Sequence, residues 1–432
     1  MLLPALLAAM ASLAAAAQEA PQSPQTPQSP QEPPRFSALE KEPDWSTLDQ
    51  YQWTMSREEF TRLLDTVYAP NGAWKQTIEI TPDGASVLAS GSTRWLLHFA
   101  NDEKRLLPPA QYWRPLTKMP AADRPLAGVT IGLDPGHLGG AWAKMEERWF
   151  QIGDGTLPVA EGDMTLLTSR LLAGLLQARG ARVVYVRNST DPATPLRPAD
   201  LRAVAKDQLT GEGMRFLRNN YNGPADTLRM NSIQWTSELL FYRTAEIQAR
   251  ARLVNEKLKP DFVLCLHYNA EAWGDPDKPT LVPHNHMHLL VNGCYAAPEL
   301  ALDDVRYGML VKLLSRTYAV ELPVAQHVAD SLAQATGLPP FQYTTGNAVR
   351  VGDDPTIWAR NLQANRLYQC PVIYIEPYVM NSQEVWDRVQ AGNYDGRKLI
   401  DGKMRESIYR EYANAVAAGL EAAAKDLRNQ GD

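Results

Sequence analysis

Cysteine is scarce in this chain of 432 residues. Three cysteines are too few, and odd in number, for a disulfide framework, so apolar packing must hold the fold. Only Cys294 and Cys370 are left as candidates for a bridge in an oxidising compartment. Basic charge is also short. Lys and Arg total 43 against 49 Asp and Glu, a net charge of −6, which argues against a general nucleic-acid-binding role. The first 17 residues carry no charged side chain, no basic stop-transfer flank follows them, and no cysteine near residue 17 offers a lipid attachment point. What is present is a globular composition. At 44% hydrophobic and 21% charged, disorder of the whole chain is excluded, and the length favours two folded units.

Residues 1–17 run apolar up to Gln18, with small residues at Ala15 and Ala17. This is the pattern of a secretory signal peptide, and it predicts a periplasmic or secreted protein with no stable membrane anchor; an uncleaved anchor is the competing reading. Residues 18–36 form a Pro/Gln-rich linker. Proline recurs there at every third position from Pro21 to Pro33, and polyproline II has three residues per turn, so the segment reads as a rod ~40 Å long at ~3.1 Å per residue. Residues 37–120 read as a small α+β module of unknown role. Ser56 and Glu59 have capping-box spacing ahead of Phe60, Leu63, Leu64 and Val67, and strand-like runs follow at 74–81, 85–88 and 94–99. Nothing in the module carries chemistry, and His98, alone in an apolar run, reads as packing.

The pattern of residues 126–432 alternates. Runs at 129–133, 182–186, 262–266, 287–291 and 372–375 predict strands, and 164–177, 244–258 and 405–427 predict helices. The fold class is therefore α/β, with a mostly parallel central sheet flanked by helices, preceded by the small α+β module. The stretches 198–239 and 298–354 are long for connections and are expected to carry accessory helices over the edge or mouth of the sheet.

Three of the predicted strands end in chemistry. One runs into Asp134-Pro135-Gly136-His137, one into His267 and one into Glu376, and in open α/β sheets ligands bind beyond the carboxyl ends of strands. Glu161, just ahead of the helix 164–177, is placed to join them. Two imidazoles and a carboxylate with a position left open are what a catalytic zinc needs, so His137, Glu161 and His267 are candidate ligands and Glu376 is free to handle protons. The alternative is that these are strand-terminal polar residues with structural partners. A rival array is His284, His286 and His288, whose alternation on a strand would put three rings on one face. Asp134 is expected to orient His137 or cap its turn. Arg243, Arg250 and Arg252 are expected on a solvated helix face.

Four blocks in order, LDPGHLGG (133–140), AEGDMTLL (160–167), LCLHYNA (264–270) and YIEPYVMNSQE (374–384), resemble the successive signatures of the zinc-dependent N-acetylmuramoyl-L-alanine amidases. RARLVN (250–255) resembles the helix ahead of that family's second histidine strand. The resemblance implies Zn2+ held by His137, Glu161 and His267, with Glu376 as the catalytic glutamate. It implies peptidoglycan as the substrate and allows an activator protein as a partner, with a helix in a long insertion blocking the site. Leu138 stands where that family usually has Gly, Thr165 where it has Asn, Tyr268 where it has a small residue and Cys265 where it has Ser. Bulky Leu138 and Tyr268 are expected to narrow the cleft. They keep open a zinc hydrolase of another amide, such as a soluble muropeptide, and a catalytically silent wall-binding protein of the same fold is the reading from another class.

Overall fold

Near-continuous apolar runs are what strands covered on both faces require. In the computed structural model, which describes residues 34–102, 105–120, 122–274 and 278–429, those runs lie side by side. The expected signal peptide, and the linker up to Pro33, lie outside the described residues. No helix among the described residues is long and apolar enough to cross a membrane.

The chain first builds an antiparallel three-stranded sheet from β1 (Ile78–Ile80), β2 (Gly84–Leu88) and β3 (Arg94–His98). The preceding helix, Arg57–Leu63, starts as expected, with the Ser56 side chain accepting from the backbone N–H of Glu59. The strand expected over 74–81 shrinks to three residues because Pro70–Gln76 turns, with Asn71 and Gly72 both at positive φ. His98 is not packed in a core; it faces solvent, its ring 5.5 Å from that of Trp53. Phe60, Val67 and Trp95 belong to the same buried apolar cluster as Ile131, Val263 and Ile373 under the main sheet.

The main sheet draws on β4 (Thr130–Pro135), β7 (Arg182–Tyr185), β8 (Phe262–Leu266), β9 (Met287–Val291), β10 (Val349–Arg350), β11 (Ile357–Ala359) and β12 (Val372–Pro377), while β5 (Trp149–Phe150) and β6 (Val159–Ala160) form a short pair of their own. The order is β10-β11-β9-β12-β8-β4-β7. All neighbours are parallel except β9 with β12 and β10 with β11. The decisive feature is the middle. β4, β8 and β12 are parallel neighbours in register, Pro135 beside Leu266 and Leu266 beside Ile375, so their carboxyl ends open at one place.

Helices cover the sheet. Glu161–Ala178 and Tyr318–Thr336 both pack on the closing helix Ile408–Asn429. That closing helix starts later than expected, because 397–406 forms a hairpin of β13 (Arg397–Ile400) and β14 (Lys403–Glu406) turned by Asp401-Gly402, both at positive φ. An Asp-Gly pair between short runs is the signature of such a turn. The helix expected over 244–258 is longer, running from Ile233, capped by the Ser232 side chain, through two π-helical turns to Leu258. With Arg202–Gly211 it forms the first accessory insert.

Candidate metal centre and active site

Glu161 opens its helix, and its side chain is buried against three cations or potential cations. His267 Nδ1 lies 3.1 Å from Oε1, and His137 Nε2 and Arg148 Nε each lie 3.4 Å from Oε2. The Tyr268 N–H also donates to Oε1. One donor atom from each of His137, Glu161 and His267 lies within 4.8 Å of the others. A tetrahedral centre with ~2.1 Å bonds separates neighbouring donors by ~3.4 Å, so the contacts match what a zinc ion needs, and the two-imidazole, one-carboxylate set is of the right chemistry. The residues fit the metal. Glu376, on β12, is not part of this cluster but lies close enough for its charge to act on both imidazoles. Side-chain exposures of 24% for His137, 16% for His267 and 17% for Glu376 leave the place open to solvent.

The turn that presents His137 is held from several sides. His137 itself sits at φ 55°, a left-handed conformation that a non-glycine residue adopts only when its surroundings enforce it. Arg187 donates to the carbonyls of Pro135 and His137, Arg250 donates to Pro135 O, and the Thr165 hydroxyl donates to Gly136 O at 2.7 Å. Glycine is required at 136, because an added Cβ would lie 2.3 Å from the His267 ring.

Sequence reasoning missed the residue that orients His137. Its Nδ1 meets Glu146 Oε2 at 2.6 Å, and the other Glu146 oxygen accepts from the Leu138 N–H. Asp134, the residue expected in that role, instead accepts from Arg250 and from the Tyr368 hydroxyl at 2.6 Å. Arg250 is accordingly buried and paired with Asp134 and Glu246, while Arg243 and Arg252 are exposed as expected. No pattern marked Glu146, which stands in an irregular loop nine residues beyond His137. Tyr374, whose ring stacks on His267 at 5.0 Å, was equally silent within an apolar run.

The bulky departures do not narrow the cleft. Leu138 is fully buried in a second apolar cluster with Leu201, Leu209, Ile233 and Phe241 of the accessory insert. Tyr268 is buried beside Tyr378 and Tyr412, its hydroxyl bonded to Thr168. The three cysteines are buried and free, so Cys294 and Cys370 do not pair, and Cys265 sits behind the site against Asp134. Nor do His284, His286 and His288 form a three-ring array. β9 begins only at Met287; His284 and His286 both turn to Glu271, at 2.6 and 3.2 Å, and His288 turns to Glu376.

The electrostatics at His137 and Glu161 suit ligation. Burial pushes the His137 pKa down to about 3, so its imidazole is neutral and ready to ligate at neutral pH. For Glu161, burial favours the neutral acid, but His137, His267 and Arg148 outweigh it and hold the carboxyl below its ordinary value. Burial likewise opposes charge on His267, and Glu161 raises it on balance. Glu376 follows the same logic: burial works against ionisation, and His288, His267 and Arg360 pull the carboxyl well below the usual range.

No protein-family model matches the sequence, and no curated protein matches it. Solved structures similar to it include the N-acetylmuramyl-L-alanine amidase Ami1 from Mycobacterium smegmatis, at 16% identity over 70% of this chain and 99% of that one, with a TM-score of 0.36. The N-acetylmuramoyl-L-alanine amidase AmiC2 of Nostoc punctiforme is similar at 14% identity over 68% of this chain and 96% of that one, TM-score 0.34. The CwlD amidase from Clostridioides difficile, solved in complex with the GerS lipoprotein, is similar at 12% over 69% and 100%, TM-score 0.35. Likenesses this distant leave the functional reading to the side chains.

Proposed function

We propose that this chain is a zinc-dependent peptidoglycan amidase that hydrolyses the amide between the lactyl group of N-acetylmuramic acid and L-alanine. The observation that supports it best is the convergence of His137, Glu161 and His267, with Glu376 beside them, at the adjoining carboxyl ends of three parallel strands. The order of the four sequence blocks supports the choice of substrate, and the apolar leader supports action in the cell envelope, outside the cytoplasm.

His137 would ligate through Nε2, because Glu146 occupies Nδ1, and His267 through Nδ1. Bound there, a zinc ion supplies a Lewis acid that polarises a carbonyl and makes water more acidic. The chain's own residues do the rest. Glu376, ionised at neutral pH, takes a proton from the attacking water and delivers it to the departing nitrogen, which is a poor leaving group until protonated. The carbonyl carbon gains a hydroxyl and the nitrogen gains a hydrogen, so the bond breaks into a lactyl carboxylic acid, which then gives up its proton to the amine or to solvent, and a free L-alanine amine. Leu138 and Tyr268, the two residues that kept a different amide open, point into the core and give that reading no support.

Purified sacculi incubated with the protein should release stem peptides with a free N-terminal L-alanine, identified by mass spectrometry, and a chelator should stop the release. Release of saccharide fragments, or of nothing, would count against the assignment.

A further inference from the structure

Behind Glu376 stands a side chain that this mechanism leaves without a task. His288 lies directly opposite Glu376 in the antiparallel β9–β12 register, its side chain 2% exposed, and brings Nε2 to 3.1 Å from Glu376 Oε2. Phe341 and Tyr343 wall the ring, with centroids 5.1 and 5.6 Å away. The His286 ring is 6.4 Å off and gives its own Nε2 to Glu271. Neither nitrogen of His288 has an aligned hydrogen-bond partner, so the approach to Glu376 is a close but bent polar contact. An apolar ring would fill this aromatic niche without burying bare polar atoms, so packing does not account for histidine here. What the imidazole does have within reach is the carboxylate. Among the described residues, no other basic nitrogen stands as near to the Glu376 carboxylate.

We propose that His288 is a positioning residue for Glu376, anchoring Oε2 at the rim of the sheet so that the other oxygen is held ready to exchange the proton with the reacting groups. The proposal rests on the assignment of Glu376 as general acid/base. An unanchored glutamate on the same strand would sample several rotamers, and displacing a reacting group by about 1 Å costs on the order of 100-fold in rate. Anchoring also has an electrostatic side. Burial opposes the ionised form of Glu376, and His288, with His267 and Arg360, favours it, while Tyr343 and Tyr412, which also face the carboxylate, are kept protonated by its charge and their own burial. Without His288 the carboxyl would therefore hold its proton to a higher pH.

The test compares His288→Phe and His288→Gln with the unaltered protein on a soluble muramoyl-peptide, with zinc per chain counted in each. His288→Phe should keep its zinc and its KM, lose kcat by roughly 10- to 100-fold, and move the acid limb of the pH profile upward; His288→Gln, which can still donate to the carboxylate, should recover much of kcat. A His288→Phe protein with unchanged kcat and an unmoved acid limb overturns the proposal. Should that variant fail to fold, His288→Asn, too short to reach the carboxylate, carries the same expectation and the same contradiction. Glu376→Gln run alongside separates the two claims, since its retained activity would sink the assignment of Glu376 itself and not merely the role of His288.

Discussion

Gly136 and Glu146 set the geometry of the site at the scale of single residues. An alanine at 136 would put a methyl group 2.3 Å from the His267 ring, closer than any real contact, so either the ring or the turn must move. Gly136→Ala is expected to leave the protein folded, with zinc content well below one ion per chain by elemental analysis. Glu146 acts on the other imidazole. Partners of this kind, behind a ligating histidine, are typically worth 10- to 100-fold in metal affinity, so Glu146→Ala should weaken zinc binding by roughly that factor in a competition titration. Unchanged affinity would mean that the 2.6 Å contact to His137 does not orient the ring. That His137, Glu161 and His267 meet, with Glu376 near them, was legible in the sequence, because each stands at the end of an apolar run or at a helix entrance. Glu146 and Tyr374 were not, and the alternation that drew attention to His288 pointed to a metal array and not to Glu376, since the significance of all three lies in what the fold brings opposite them.

Elements of structure decide how firmly this geometry is held. The accessory insert buries Leu138, the residue next to the first imidazole, in a small cluster centred on Phe241. Truncating a fully buried phenylalanine costs about 3–5 kcal/mol, so Phe241→Ala should lower the melting temperature and loosen the loop that carries Glu146, as increased amide exchange over 138–147. The same insert has an acid-sensitive turn. Backbone N–H groups of Asn222 and Leu228 and the Arg218 guanidinium hold the Asp226 carboxyl down to about 2. A depressed pKa stabilises the folded form above the ordinary value of 3.8, and that contribution disappears as pH falls through about 2. Exchange protection over 218–232 should therefore fall between those pH values in the unaltered protein, and Asp226→Asn should lack that step. The buried strands of the main sheet were readable from their uniform apolar composition. Two-residue β10 and three-residue β11 were not, being too short for any pattern, and the hairpin at 397–406 was hidden in what reads as the start of a long helix.

At the scale of the whole molecule, one parallel core of β4, β8 and β12 brings together side chains separated by as much as 239 positions in sequence, from His137 to Glu376. The sheet supplies the convergence, the helix of Glu161 brings a carboxylate to it, and the proposed chemistry rests on which residue types stand there. The claim that these four side chains make one hydrolytic centre meets its most direct test in Glu376→Gln. Zinc per chain and stem-peptide release from sacculi would be measured together, for this variant and for the unaltered protein. The account predicts one zinc ion in both and a loss of release on the order of 100- to 10,000-fold in the variant. A variant that binds zinc and digests sacculi at the unaltered rate would contradict it.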